Sequence, residues 1–549
     1  MSTDKELVAG ATNVAEYLAA ITEAFSDCEA IVDSHGRITY SEMNAKSREL
    51  ARTLLGAGVT KYSRVAIHAP NGIDWVVAWF AITRTGAVAV PISVFSTGPE
   101  FARILRHADC QVLLVRQANG REHPLDSLVR ELPSFSEQEG PTSFNPDLPY
   151  LRTIIDLTPG TAHPAARPTR VLGQDTSVVS DRLLDACEHE VHAADPATMV
   201  YTSGSTSAPK GVIHSHASVM AQTRVLAEDL SFDRETRNFT TMPLFWVGGL
   251  ALSLLPTFAR GGLHAFTESL DPAQILELIE REKLNRVFVY PPRNLDIVIS
   301  HPDYRVRDLT SIGRGTPGLP IDYDETKGIS NTTDGLRMGL GMSESFGPYW
   351  WGSPEAPDDL LTPPLRRLSP GWEIKVVRED GELAGDSERG EIRIRGPHLA
   401  VGLQKVERSS VFDEDGYYRT GDIGLVDGEL IRFRGRAGDM VKINGANVTI
   451  PEVVEAIKLV PGVQEAFVCA VPDAVSGSVL FAAVVPVPGA PLSSEDVLNR
   501  IRHDLAPYKI PAFLDLMDSE SVPMTPSGRL DQPRFRDLLK RRFSESSPK

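Results

Sequence analysis

Thr198-Met199-Val200-Tyr201-Thr202-Ser203-Gly204-Ser205-Thr206-Ser207-Ala208-Pro209-Lys210-Gly211 is the stretch on which the fold and the chemistry of this chain turn. Its first four residues are largely apolar and predict a buried strand. The rest packs hydroxyl side chains, glycines and one lysine into a short loop. Glycines let backbone N–H groups face a ligand, hydroxyls donate to phosphate oxygens, and the lysine adds charge. Such a loop suits a polyphosphate held at a sheet end. An ordinary Ser/Thr/Gly surface loop is the alternative, and both the preceding strand and the Pro209-Lys210-Gly211 ending argue against it. The segment is not the strand–GxxxxGK[ST]–helix loop, because Pro209-Lys210 stands where that pattern, counted from Gly204, needs Gly-Lys.

Upstream of the loop, helix and strand signals alternate. Residues 41–55 place Met43, Leu50, Ala51, Leu54 and Leu55 on one helical face, with Ser41 as cap and Gly56 as stop. Val65-Ala66-Ile67 predicts a strand, 74–84 a helix and Val88-Ala89-Val90 the next strand. This alternation implies an α/β fold of parallel sheets covered by helices. Residues 117–193 are rich in Pro, Gly, Ser and Thr and predict a loop-rich surface insertion. Residues 388–434 turn to strand texture, as in Glu391-Ile392-Arg393-Ile394-Arg395 and Leu430-Ile431-Arg432-Phe433-Arg434, and predict a β-rich subdomain. After Gly438 comes a small α+β module. It has a helix at 452–457, strands at 466–471 and 479–485, and a Ser493/Asp496 capping pair before a helix burying Val497, Leu498, Ile501 and Leu505.

A chain of 549 residues is too long for one core. The net charge of −17 excludes the basic footprint of a nucleic-acid binder, and the dense basic run Lys540-Arg541-Arg542 lies near the chain end. The four cysteines are far apart, form no metal pattern and fit a reducing cytoplasm. The polar start, Met1 to Glu6, predicts no signal peptide. The apolar run Trp75–Ile82 is too short to span a bilayer.

Further segments follow the loop's lead. They are Ile38 to Glu42, Gly86 to Pro91, Pro243-Leu244-Phe245 with Gly248-Gly249, Gly339 to Glu344, Gly390-Glu391-Ile392 and Tyr418 to Asp422. Gly435-Arg436 through Lys442, Gly445 to Glu452, and Pro523 to Arg529 complete the set. In this order, over most of the chain, they resemble the motifs of the adenylate-forming superfamily, and within it the acyl-CoA synthetases. The resemblance implies a large N-terminal domain, 1–437, and a small mobile C-terminal domain, 438–549. It implies that a carboxylate attacks the α-phosphate of ATP, pyrophosphate leaves, and the acyl group passes to the thiol of coenzyme A.

The resemblance also assigns roles. Thr202, Ser203, Gly204, Ser205, Thr206 and Lys210 would hold the phosphates. Gly315, Thr316, Pro317, Gly339, Leu340, Gly341, Met342 and Ser343 would frame the nucleotide. Glu344 would be the Mg2+ ligand, since a hard cation takes carboxylate oxygen; a solvated surface glutamate is the alternative. Asp422 would accept from the ribose hydroxyls, or be a turn residue after Gly421, and Arg436 would add a second contact. Phe245, Trp246, Gly248, Leu250 and Tyr290 would line the acyl pocket. Lys442, Asn444 and Gly445 would meet CoA, and Gly438 would be the hinge.

The chain departs from the family pattern at several of these positions. Arg529 stands where the family carries a catalytic lysine bridging the carboxylate and the α-phosphate; it keeps the charge but is a planar fork, and reads as a slower or repositioned adenylation residue, with a plain surface arginine in a non-participating tail as the alternative. Gly438 replaces the usual aspartate or lysine at the pivot and Asp439 keeps the acidic residue after it. Leu340 replaces an aromatic, Ser207 a glycine, and Trp246 a histidine. Trp246 reads equally as a gate of the acyl tunnel and as core. The apolar character of the pocket candidates favours a fatty, alicyclic or aromatic acid. Adenylation with a carrier-protein acceptor, and a catalytically weakened nucleotide- or acyl-binding homologue, are the other two expectations. A homodimer is left open.

Overall fold

The computed structural model describes residues 8, 10–135, 145–159, 163, 179–202, 210–289, 292–312, 337–352, 365–427, 430–436, 440–443, 446–473, 477–502, 505, 507–525 and 529–546. The chain forms two compact units. The first is residues 1–354, 367–372 and 395–412, and the second is 355–366, 373–394 and 413–549.

In the first unit the strands follow in chain order. They are β1 (Glu29–Asp33), β2 (Gly36–Thr39), β3 (Arg64–His68), β4 (Val88–Pro91), β5 (Val112–Val115), β6 (Thr153–Asp156), β7 (Pro196–Thr202) and β8 (Lys210–Ser215). Then come β9 (Arg237–Thr240), β10 (Leu263–Ala265), β11 (Arg286–Phe288), β12 (Arg337–Met342) and β13 (Gly347–Gly352). One sheet has the order β8-β7-β4-β3-β5-β6, with the short strand Gly402–Leu403 outside β8. Neighbours from β7 to β6 run parallel, whereas β8 is antiparallel to both its neighbours. A second sheet has the order β11-β9-β10-β1-β2 and is parallel except at β2.

Local chemistry explains these elements. The helix Tyr40–Gly56 starts one residue earlier than its apolar face suggests. Thr39, not Ser41, is its cap: the Thr39 hydroxyl accepts from the Glu42 N–H and the Glu42 carboxylate accepts from the Thr39 N–H. Gly56 lies inside the helix. The run Trp75–Ile82 belongs to the helix Ile73–Arg84, which is buried on every side from Trp75 onward. A helix apolar all round is a core helix, and each fully buried Phe or Ile side chain contributes about 1.5–3 kcal/mol. Among the described residues, no helix is long and apolar enough to cross a membrane.

The stretch 117–193 holds elements that belong to the core. β6 pairs with β5 and is buried along its length. The helix Asp181–His189 sends Asp185 and Glu188 to Arg48, and Glu188 also to Arg84. At the end of β6, the Asp156 carboxylate accepts from the N–H groups of Thr158 (2.9 Å) and His163 (3.1 Å), and pairs with His123 Nε2 (3.1 Å). Pro and Gly richness hid these elements because a four-residue strand leaves little periodicity to detect.

In the second unit, Arg389–Arg395 and Leu430–Arg436 each pair antiparallel with Tyr418–Asp427. Toward the C-terminus, Val463–Asp473 and Gly477–Pro486 form an antiparallel pair, and Phe513–Leu516 runs parallel to the latter. The helices Ile450–Lys458 and Ser494–Ile501 share a core there with Val453, Ile457, Val484, Val497, Ile501 and Leu514. The second helix starts at the Ser493/Asp496 capping box the sequence predicts.

Asp156 gives the sheet edge a pH signature. Burial pushes its pKa up, but the hydrogen bonds from His123, Thr158 and His163 outweigh this and hold it well below the usual carboxylate range. A depressed folded-state pKa gives stability that is present above the unfolded value and lost as pH falls through the folded one. Asp156→Asn is expected to cost about 1–3 kcal/mol at pH 7, with the gap to the parent shrinking below pH of about 4. Thermal unfolding of both proteins from pH 7 to 3 checks this; a constant gap counts against it.

Candidate active site

The loop quoted at the outset is rooted in paired strands. Thr202 ends β7, Lys210 begins β8, and the two stand opposite each other, as do Tyr201 and Gly211. Ser203, Gly204, Ser205, Thr206 and Ser207 lie outside the described residues. Thr202 is half-buried and Lys210 exposed. The root itself is packed. Tyr201 OH and His107 Nδ1 are 2.8 Å apart, and the Gln404 N–H donates to the Gly211 carbonyl at 2.8 Å. A Cβ on Gly211 would sit 3.0 Å from Tyr201, Met199 and Gln404. A side chain there would have to displace these neighbours by a few tenths of an ångström.

Glu344 sits on a tight turn between β12 and β13, which run antiparallel with Leu340 opposite Trp350, Gly341 opposite Pro348 and Met342 opposite Gly347. Gly339 lies in β12, and Leu340 is half-buried. A Cβ on Gly341 would lie 2.7 Å from Pro348 Cα, so this crossing excludes any side chain. Ser343–Ser345 make one turn of 3-10 helix, and Phe346 closes it in the left-handed region at φ 52°. That conformation costs a non-glycine residue about 1–2 kcal/mol, and hydrogen bonds offset it. The Phe346 N–H donates to the Ser343 carbonyl (3.1 Å), and the Met342 N–H to Ser345 Oγ (3.0 Å). His214 Nε2 donates to the Ser343 carbonyl (2.8 Å), and the Ala400 N–H to the Glu344 carbonyl (2.8 Å). Glu344 itself is 8% exposed. That rules out a solvated surface glutamate, since a carboxylate at this depth requires a cation or hydrogen-bond donors.

In the second unit, Asp422 and Arg436 face each other across the strands Tyr418–Asp427 and Leu430–Arg436. Arg436 Nε donates to Asp422 Oδ1 at 3.1 Å, with the aspartate side chain 3% and the arginine side chain 54% exposed. The Asp422 N–H donates to Thr420 Oγ1 (2.9 Å). Gly421 carries φ 71°, a value glycine adopts without strain, and so turns the chain just before the buried carboxylate. Asp422 is therefore a held, inward acid on a strand.

Among the acyl-pocket candidates, Phe245 and Leu250 are buried and Trp246 is half-buried. The Phe245 ring stands edge-on to Phe95 (5.9 Å) and to Trp246 (5.6 Å). Gly248 opens a run of π-helix, Gly248–Leu254, and a Cβ there would lie 2.8 Å from Met242 Sδ. Tyr290, Gly315, Thr316, Pro317, Gly438, Asn444 and Gly445 lie outside the described residues. Lys442 falls in the strand Met440–Ile443, opposite Asn447. Arg529 is exposed; its N–H donates to Thr525 Oγ1 (3.2 Å) and its carbonyl accepts from the Thr525 N–H (2.7 Å).

The structure thus ties the loop root and the Glu344 turn together within the first unit. His214 and Ala400, which bond to the turn, and His107 and Gln404, which brace the loop root, carry no motif of their own. His214 alone leaves a trace in the sequence, four residues after Lys210 and so on the same face of an alternating strand.

The profile of the AMP-binding enzyme family matches residues 18–403, and that of the AMP-binding enzyme C-terminal domain matches 452–529. A putative acyl-CoA synthetase, YngI, of Bacillus subtilis (strain 168) is 25% identical over 98% of this chain and 98% of its own. A feruloyl-CoA synthase of Amycolatopsis sp is 27% identical over 92% of this chain and 94% of its own. The solved structure of ATP-bound MatB from Rhodopseudomonas palustris shares the fold at a TM-score of 0.74, with 21% identity over 96% of this chain and 99% of that one. The chain belongs to the AMP-binding enzyme family.

Proposed function

We propose that the protein is an acyl-CoA synthetase that activates a fatty, alicyclic or aromatic acid as its acyl-adenylate and transfers the acyl group to coenzyme A. The observation that carries this reading is the buried Glu344 carboxylate on a turn hydrogen-bonded to β8, the strand that begins at Lys210. In the first step a carboxylate oxygen bonds to the α-phosphorus of ATP, the bond to the β-phosphate oxygen breaks, and pyrophosphate leaves. Two anions meet, so neutralising charge dominates the barrier. Lys210 and the hydroxyls of the 202–206 segment take the departing phosphates. Asp422, braced by Arg436, accepts from the ribose hydroxyls. In the second step the CoA sulfur bonds to the acyl carbon, the thiol gives up its proton and AMP leaves; the module 438–549 turns about Gly438 between the steps and brings Lys442, Asn444 and Gly445 to the pantetheine.

The residues present fit a magnesium ion. Among the described residues, no group of three or more His, Cys, Asp or Glu forms an all-protein cage. One carboxylate supplemented by phosphate oxygens is a mode Mg2+ favours, and Glu344 supplies it. Bound there, the ion would neutralise phosphate charge.

The acid class is supported by the apolar side chains of Phe245, Trp246 and Leu250, with no basic group among them to take a second carboxylate, and by the feruloyl group in the name of one relative. The free thiols of Cys28, Cys110, Cys187 and Cys469 fit a cytoplasmic setting.

With MgATP and a panel of aliphatic, alicyclic and aromatic acids, pyrophosphate release should depend on both acid and CoA. Glu344→Gln should lower kcat by about 100-fold or more. Pyrophosphate release that CoA does not stimulate, or a Glu344→Gln protein with parental turnover, would refute the reading. Carrier-protein transfer would appear as thioester formed on a carrier but not on CoA.

Arg529→Lys tests the family departure separately. A compact ammonium in place of the fork should speed acid-dependent ATP–pyrophosphate exchange by about 10-fold, a fraction of the effect of one well-placed donor. Transfer from preformed acyl-adenylate to CoA should change little. An unchanged exchange rate would mean that arginine serves fully at this position.

A further inference from the structure

We propose that His214 is a positioning residue that sets the aim of the Glu344 carboxylate by holding the Ser343 carbonyl. The inference rests on the reading of Glu344 as the carboxylate that serves the metal and the phosphates.

His214 is fully buried on β8, and Lys210, Val212 and His214 share one face of that strand. Its Nε2 lies 2.8 Å from the Ser343 carbonyl oxygen. A carbonyl only accepts, so the proton is on Nε2 and Nδ1 is bare. Nδ1 is buried and has no hydrogen-bond partner among the described residues. Burial lowers the histidine pKa to about 4, against the opposing pull of the Ser343 bond, so the ring is a neutral donor at physiological pH.

The bond reaches the catalytic turn at its first residue. The Ser343 carbonyl accepts from His214 and from the Phe346 N–H, which fills both lone pairs. The next carbonyl, that of Glu344, accepts from the Ala400 N–H. Both peptide planes bracketing the Glu344 side chain are thus held from outside the turn. The Phe346 ring packs against the imidazole at 4.7 Å, so the left-handed closing residue leans on the same histidine. A carboxylate aimed in this way keeps its angle to the strand that starts at Lys210. Without the bond, the Ser343 peptide plane can rotate and carry Glu344 with it.

The amide pair His214→Gln and His214→Asn separates positioning from mere filling. Glutamine places an N–H near the Nε2 position, whereas asparagine reaches only as far as Nδ1. Acid-dependent ATP–pyrophosphate exchange, titrated with free Mg2+ at saturating ATP, is the readout. The asparagine protein should need about 10-fold more Mg2+ for half-maximal rate, and the glutamine protein should stay close to the parent. In a Glu344→Gln background, His214→Asn should add no further shift. Equal behaviour of the two amides, or an additive shift in that background, overturns the proposal. His214→Leu, which lacks a donor, replaces the asparagine arm should that protein not fold, and failure of all three to fold overturns it in favour of a purely structural histidine. Glu344→Gln alone reports on the underlying reading: if it leaves the Mg2+ titration unchanged, the metal role of Glu344 falls, and this inference falls with it.

Discussion

The antiparallel join of β8 to β7 is the constraint on which the rest of the first unit depends. β7 is the last strand of a parallel series, and a parallel series of this kind delivers its loops to the carboxyl ends of the strands. β8 then returns along β7 and receives the short strand Gly402–Leu403 on its far side. The loop between Thr202 and Lys210 therefore hangs from two hydrogen-bonded strands. Tyr201 with His107, and Gln404 with Gly211, brace this root from either side.

From the same strand the constraint passes to the Glu344 turn. His214 and Ala400 each hold one carbonyl of that turn, and Gly341 allows the backbone crossing that brings β12 against β13. The left-handed Phe346 is held by the hydrogen bonds of its own turn. In the second unit the same logic recurs with different parts: Gly421 turns the chain, and Arg436 holds the buried Asp422. Each acid is buried, and a glycine precedes each in the chain: Gly421 next to Asp422 and Gly341 three residues before Glu344. In a chain of net charge −17, Lys210, Arg436 and Arg529 are cations exposed at strand or turn ends.

Much of this was legible beforehand, and the exceptions have a common cause. The strands at 65–67, 88–90 and 198–201 and the helix at 74–84 announce themselves through apolar runs, and the Ser493/Asp496 box through its spacing. β6 and the helix Asp181–His189 went unseen because they are short and set among prolines and glycines. The cap is Thr39 rather than Ser41, and the Thr39-x-x-Glu42 spacing is a capping-box signal that the apolar face alone does not carry. Whether Glu344 and Asp422 were solvated or inward could not be read from residue type, since carboxylates are ordinary surface groups.

The sequence by itself determined the alternation that makes an α/β fold, the loop chemistry and the ordered motifs that mark the family, because each of these is local in the chain. Tertiary structure alone decided which residues support them. His214 and Ser343 are 129 positions apart, and Gln404 and Gly211 are likewise distant in the chain. A hydrogen bond between such residues has no local period or spacing to betray it. It exists only once folding has packed the β12–β13 turn against β8 and the 402–404 segment beside it.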